Sequence, residues 1–421
     1  MKNDNKFKEN EICFTFGAIS DIHLTDGGDD SEKKFRQALK TLSAFAENGL
    51  DAVLCVGDLI DSRKESQIEK FKAIYEDELS YDVPLIYCLG DGHDEIWTEG
   101  DDAPQTFARI FGEEYFKKDV NMEMVKHGNR HCIINGCHII ALQPISRCPI
   151  RYGDKTKAWL KKTLKQINDE NGKMPIIVIT HPMIHNTCYG SCEGDEWDTE
   201  ELTPILSDYE QIIVFGGHLH FPLIDERSIM QTEFTSVGCG AVRYMAIEHA
   251  YMFQHGYNVK NAYRFSQGLL CEVDSGGNVR ITRLDFLKGR IIKSPWMILK
   301  GEKRYVMERM QTASAPCFDG DGNITARRLK NEMEQTTCQL SFNAAYDADF
   351  VHHYEIAVEN EHGTVIMKRK LITDFFRVCS ADEMAKRCSA DVGDILREGY
   401  TVYIQAVNSW GKKSKPINRT F

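Results

Sequence analysis

Aspartate and histidine, side chains that hold borderline divalent metals, recur in five short clusters in the first half of this 421-residue chain. In order they are Asp21-Ile22-His23, Gly57-Asp58-Leu59-Ile60-Asp61, Gly90-Asp91-Gly92-His93-Asp94, Thr180-His181-Pro182 and Gly216-Gly217-His218-Leu219-His220. Each closes a run with the apolar character of a strand: residues 12–19, 52–56, 83–89, 176–179 and 212–215. Strands of an open α/β sheet present their carboxyl ends to one crevice, so clusters distant in sequence can share one site. The chemistry such a convergence offers is metal coordination, with bound cations polarising a substrate.

The elements that must carry these clusters alternate between two periods. Residues 32–48 place Phe35, Leu39, Leu42, Phe45 and Ala46 at helical spacing, and residues 68–79 and 155–168 repeat the pattern. Between the last two, residues 130–142 read as a strand pair turning at Asn135-Gly136. Beyond His220 the helical period fades, and residues 228–237, 268–273 and 279–286 read as strands, the last two joined by a turn at residues 275–278. The economical architecture is an α/β sandwich of two sheets flanked by helices. Pro295 and Gly301 mark a change of pattern, which places a first domain at 1–298 and a second, all-β domain at 299–421. Strands are expected there at residues 337–342, 351–358, 364–370 and 400–407.

Composition narrows the function classes. The chain is too long for one ordinary domain, and 42% apolar with 27% charged residues is globular. It carries no long uncharged apolar stretch, so no transmembrane helix is expected, and residues 1–10 lack the features of a signal peptide. The fourteen cysteines show no C-x-x-C pair and no zinc spacing. Scattered thiols of this kind fit a reducing, cytoplasmic compartment. Lys plus Arg number 51 against 63 Asp plus Glu, and the whole deficit of 12 lies in residues 1–300. An acidic region over residues 1–300 argues against a nucleic acid polymer as main partner. A small phosphorylated substrate stays compatible, because bound cations reverse the local field.

Each cluster alone is common: Gly-Asp at a strand end is ordinary turn chemistry, and a lone His181 is more often structural than a ligand. All five together, in this order and each after a strand, resemble the calcineurin-like metallophosphoesterase family over about residues 12–225. The resemblance implies two divalent metals (Mn, Fe, Zn or Ni) that share a hydroxide, grip phosphoryl oxygens and stabilise the leaving alkoxide. By motif, Asp21, His23, Asp58 and His220 would hold the first metal, with Asp58 bridging, and His181 and His218 the second. His93 would contact phosphate and protonate the leaving oxygen, Asp94 would orient His93, and Asp61 would brace its loop.

The third cluster departs from the family's Gly-Asn-His-Asp. Aligned on Gly90, Asp91 takes the place of the asparagine that binds the second metal and Gly92 is an insertion; aligned on His93, Gly92 takes that place and the second site is weak. We favour Asp91, since a carboxylate supplies an equivalent oxygen and Gly92 gives the backbone freedom to return His93 to position. His185, His249 and His255 could line the cleft, and Asp198 or Thr199 could cap a helix after the acidic loop.

Within the last two dozen residues, Tyr400 through Asn408-Ser-Trp-Gly411 resembles the late strands of a fibronectin type III domain, with Tyr400 as a corner tyrosine tied to upstream backbone and an Asn-x-x-Gly turn after the strand. The function that follows is a dinuclear hydrolase of phosphate esters, with a phosphodiester of cyclic-nucleotide size as the preferred substrate. The alternative is a weakly catalytic metal-binding protein that docks a partner through its C-terminal sandwich. The sequence is silent on oligomeric state.

Overall fold

The computed structural model describes residues 6–79, 82–90, 93–94, 103–170, 174–192, 197–247, 259, 261–330 and 334–421. The chain divides into two compact units, Met1–Val306 and Met307–Phe421. The division falls beyond the expected one, eight residues after Trp296–Ile298 has added to a sheet of the first unit. Past that strand the Gln231 side chain accepts from the Arg304 and Tyr305 amides.

The first unit is built on two sheets. In the first sheet β1 (Ile12–Ile19), β2 (Ala52–Val56) and β3 (Leu85–Cys88) run parallel. In the second sheet β4 (Arg130–Ile134) and β5 (Cys137–Leu142) form the expected hairpin. Asn135 (φ 49°) and Gly136 (φ 79°) take the left-handed conformations that a two-residue turn of this kind needs. Strands β6 (Ile176–Thr180) and β7 (Ile212–Gly216) extend that sheet in parallel from β5. Its far edge is β8 (Ile229–Gln231) and β9 (Thr235–Gly238). Residues 228–237 are therefore two strands rather than one, because the Thr232 amide donates to the Phe234 carbonyl and turns the chain. Strand β10 (Gln267–Asp274) returns antiparallel to β1, β11 (Val279–Asp285) pairs antiparallel with β10, and Arg290–Ile291 and Trp296–Ile298 pair with β11 to complete the first sheet.

Helices cover the outer faces. In α1 (Ser31–Phe45) Phe35, Ala38, Leu39 and Leu42 form the buried stripe, and α2 (Glu65–Glu78) buries Ile68, Phe71, Ile74 and Tyr75 beside it. A third helix, α3 (Ala103–Phe111), joins this layer through Phe107 and Phe111, and α4 (Asp154–Asp169) covers the second sheet with Leu160, Leu164 and Ile167. The inner faces of the two sheets meet directly: Phe16 of β1 packs edge-on against Phe215 of β7, ring centroids 5.7 Å apart. With both faces covered, the central strands are wholly buried, which is why they read as continuous apolar runs.

The second unit is β-rich. A three-stranded sheet comprises β12 (Thr325–Lys330), β13 (Thr336–Asn343) and β16 (Arg387–Asp391). A four-stranded one comprises β14 (Val351–Glu359), β15 (Val365–Ile372), β17 (Thr401–Asn408) and β18 (Ile417–Thr420). Leu340 and Phe342 from one sheet and Ile356, Val358, Ile404 and Ala406 from the other share one core. The Asn408 side chain accepts from the Trp410 and Lys412 amides, and Gly411 has φ 73°, so the expected turn forms. Tyr400 ties its strand through its backbone, the amide donating to Arg397 and the carbonyl accepting from Phe421. No helix among the described residues is long and apolar enough to cross a membrane. All fourteen cysteines are free thiols.

Candidate metal centre

The loops that leave β1 and β2 run side by side. The Asp21 amide donates to the Gly57 carbonyl and the Ile22 and His23 amides to that of Asp58. The loops after β6 and β7 are joined likewise, Gly217 donating to the His181 carbonyl. The two pairs are then stitched to each other. The His218 amide donates to the Asp21 carboxylate (3.1 and 3.2 Å), and His181 Nδ1 donates to the Val56 carbonyl (2.9 Å). The four strand ends thus form one floor.

Three groups of ligand atoms lie on that floor, the atoms of each within 4.8 Å of one another: Asp21, His23, Asp58 and His220; Asp58, His181 and His218; and His23, Asp61 and His93. Asp58 belongs to the first two groups, as a bridging residue must. The structure therefore brings together Asp21, His23, Asp58, His181, His218 and His220, and sets His93 beside the first group, 4.6 Å from His23 between ring centroids. Asp91 and Gly92 lie outside the described residues, as do His249 and His255.

Close approach at the floor needs glycine at two places. A Cβ at Gly90 would run into Asp58 Oδ1, and one at Gly217 would lie 2.7 Å from the Val56 carbonyl and 2.9 Å from Asp21 Oδ2. Asp21 (φ 55°), His23 (φ 44°), Asp58 (φ 50°), His218 (φ 67°) and His220 (φ 56°) are held in the left-handed region, which L side chains rarely adopt. Such strain persists only where the surroundings over-determine it, and it gathers at functional sites.

Hydrogen bonds fix the imidazole tautomers, because a carbonyl can only accept. His220 Nδ1 donates to Tyr244 O (2.9 Å) and His181 Nδ1 to Val56 O (2.9 Å), so in the neutral rings, the form that binds metal, both Nε2 atoms carry lone pairs into the centre. There His220 Nε2 faces Asp21 Oδ1 at 2.9 Å and His23 Nε2 at 3.3 Å, and His181 Nε2 faces Asp58 Oδ1 at 3.4 Å. His23 Nδ1 and Asp58 Oδ1 are buried with no hydrogen bond. Lone pairs and carboxylates packed this way repel unless a cation sits among them. The donor set fits divalent metal ions of the kind Asp and His ligate.

The charges agree. Burial pushes the Asp21 and Asp58 carboxyls up, yet positive charge on neighbouring imidazoles (His220 and His181 for Asp21, His181 and His23 for Asp58) outweighs it and holds both low. Against its own burial His220 is raised by Asp21, so that without a metal a proton there takes the place of the cation. Burial holds His23 down at about 4, in the neutral form that binds metal. Asp94 goes the other way: burial, then the Asp58 charge, pushes its carboxyl up.

Asp94 does not take the part expected of it. Its two oxygens accept from the Ile60 amide (2.9 Å) and the Gly90 amide (2.7 Å), holding the loops that carry Asp58 and the third cluster. His93 is oriented instead by the Asp61 carbonyl, which accepts from Nδ1 at 3.0 Å. Asp198 and Thr199 are a short strand paired with Met183–Ile184 rather than a helix cap, and Asp198 grips His185 Nδ1. Two rings escaped the sequence reading. Trp197 stacks on His218 (4.9 Å, 23°), and Tyr244 lies against His220 (4.2 Å) and His23 (5.4 Å, 26°). No spacing rule links an isolated aromatic to a histidine two dozen residues away.

No curated protein matches this sequence. Among solved structures, the chain is similar to a purple acid phosphatase from yellow lupin (Lupinus luteus) seeds, with 14% identity over 68% of this chain and a TM-score of 0.47. The match spans about half of that protein, 53% of its length. An MHC-like protein, MILL2, matches at 10% identity and TM-score 0.15 over 37% of this chain and 67% of its own. The model of the family described as calcineurin-like phosphoesterase matches residues 14–222, a span that holds every clustered Asp and His described above. Residues 14–222 are a calcineurin-like phosphoesterase domain.

Proposed function

We propose that the protein hydrolyses a phosphate ester, by preference a phosphodiester, at a centre of two divalent metals. Asp21, His23, Asp58 and His220 would hold one metal; Asp58, His181 and His218, with Asp91 as a further ligand, would hold the other. The observation that carries this reading is the sharing of Asp58 between two buried ligand sets. When bound, the metals would polarise phosphoryl oxygens and lower the pKa of water.

The chain's own groups do the rest. Asp58 places one carboxylate oxygen toward each set, Oδ2 at 3.5 Å from His23 Nε2 and Oδ1 at 3.4 Å from His181 Nε2. The Asp61 carbonyl holds His93 Nδ1–H, so Nε2 is the nitrogen that contacts phosphate and hands a proton to the leaving oxygen. Asp94, its carboxyl pushed up by burial and then by the Asp58 charge, fixes the loops through both of its oxygens. The second unit acts as a fibronectin type III-like appendage that packs or docks, and the free thiols favour a reducing, cytoplasmic setting. The test is metal content together with turnover of bis(p-nitrophenyl) phosphate and p-nitrophenyl phosphate by the full chain. Two metals per chain and faster diester hydrolysis are expected. Two bound metals with no hydrolysis of either ester would instead support a binding protein.

A further inference from the structure

We infer that the centre is bordered, beside its first ligand set, by a stacking wall of Tyr244 and Tyr263 that selects phosphate esters bearing a planar aromatic group. The inference rests on the phosphoesterase reading and names the substrate class of that same site.

Rings step outward from the metal ligands. Tyr244 lies against both His220 and His23. Tyr263 packs on Tyr244 in turn, centroids 5.1 Å apart and tilted 43°. Tyr263 is 50% exposed, so a large ring faces solvent two ring contacts from a ligand of the centre.

That ring is braced. The Tyr263 backbone carbonyl accepts from the buried Lys34 ammonium (2.5 Å), which also donates to the Arg243 carbonyl (2.6 Å). The Arg243 guanidinium lies 5.0 Å from the ring centroid. An aromatic side chain with few rotamers, held before the ligand arrives, gives up little entropy on stacking.

The charges around the wall say what it prefers. Arg243 is answered by Asp29 (3.0 Å) and Asp30, and Lys34 by Asp30 (3.3 Å). These cations are already neutralised by carboxylates, so the half-exposed Tyr263 ring offers aromatic surface and not a second anion site. A substrate with an aromatic body on its single phosphoryl group fits it; a polyphosphate does not.

The experiment uses the manganese-loaded full chain and three uncleavable phosphonates: ethylphosphonate, benzylphosphonate, and the adenosine 5′-monophosphate analogue with CH2 in place of the ester oxygen. Affinities are measured by calorimetry for the natural chain, Tyr263→Leu and Tyr263→Phe, with circular dichroism to verify folding. Stacking should favour an aromatic ligand over ethylphosphonate about 5- to 150-fold in the natural chain. Tyr263→Leu should bring the ratio close to one, and Tyr263→Phe should keep it. Preference for the adenosine compound alone identifies a nucleobase; preference for both identifies any aryl group. Equal affinities in the natural chain, or an equal loss for all three in Tyr263→Leu, overturns the wall and leaves the phosphoesterase reading standing. Failure of all three to bind the loaded chain takes down both.

Discussion

Replacing Asp58 by asparagine should uncouple the thermal stability of the first unit from divalent metal. Asp58 is the residue common to both ligand sets, and its Oδ1 is buried with no hydrogen bond. A cation that binds the folded site and not the unfolded chain stabilises by RT ln(1 + [M]/Kd), about 2.7 kcal/mol at a hundredfold excess over Kd. Unfolding entropy of about 2.1 cal/mol/K per residue, taken over Met1–Val306, comes to about 0.64 kcal/mol/K. Each occupied site is then worth about 4 °C in the midpoint, and two sites about 8 °C. Asparagine keeps the shape of the side chain but removes the charge that both sites share. Losing a mere outer partner of a ligand costs about 10- to 100-fold in metal affinity, and losing a bridging charge should cost at least as much. A hundredfold weakening leaves RT ln 2, about 0.4 kcal/mol, or under about 1 °C per site. Differential scanning calorimetry on chelator-stripped protein, with and without manganese, reads both numbers from the transition of the first unit. An Asp58→Asn midpoint that rises with manganese as far as the natural chain's would refute the shared-ligand geometry.

Two further outcomes follow from named contacts. His93→Ala should keep both metals while kcat falls about 10²- to 10⁴-fold, less for an activated phenolate leaving group than for an alkoxide; loss of a metal on that substitution would make His93 a ligand. Away from the centre, Glu226 accepts from Trp296 Nε1 and pairs with Arg283, both at 2.8 Å, and Arg283 is buried. Burial pushes the Glu226 carboxyl up, but Arg283, Lys293 and the Trp296 hydrogen bond outweigh it and hold it low. A carboxyl with a lowered folded pKa contributes stability that is complete above its unfolded value near 4.5 and is lost as pH falls through the folded value. Glu226→Gln should therefore cost about 1–3 kcal/mol in urea unfolding at pH 7, with the difference from the natural chain shrinking below about pH 4. An equal difference at pH 7 and in acid would show that charge is not what Glu226 contributes.

The architecture was readable because burial on both faces leaves a simple trace. Strands β1, β2, β6 and β7 are nearly uninterrupted apolar runs, and α1 carries its core residues at Phe35, Ala38, Leu39 and Leu42. The elements missed have weaker signals for physical reasons. Strands β12 and β16, at the edges of their small sheet, leave much of Thr-Ala-Arg-Arg-Leu-Lys and Arg-Cys-Ser-Ala-Asp exposed, so no alternation stands out. Helix α3 is only nine residues long, and its Phe107 and Phe111 fit either period when counted alone. The split of residues 228–237 into a hairpin turns on one amide at Thr232 finding the Phe234 carbonyl, which no residue type announces.

At the centre, residue type was legible and orientation was not. Asp and His at strand ends pointed to metal, but whether a given carboxylate faces a metal, an imidazole or the backbone depends on loop geometry. Asp94 shows this: four residues after Gly90, its carboxylate folds back onto the Gly90 amide and reaches the Ile60 amide, so it is consumed before it can meet His93. The same loops hold Asp21, His23, Asp58, His218 and His220 at positive φ, each costing of order 1–3 kcal/mol. That strain accounts for the glycines beside the ligands. Gly57 takes φ 79°, while Gly90 and Gly217 remove the Cβ atoms that would collide with Asp58 and Asp21. The Gly-Asp and Gly-Gly-His-x-His spellings are thus the part of a strained backbone that sequence can express. The ligand directions they enforce emerge only when both sheets are folded and the Val56 and Tyr244 carbonyls stand where His181 and His220 need them.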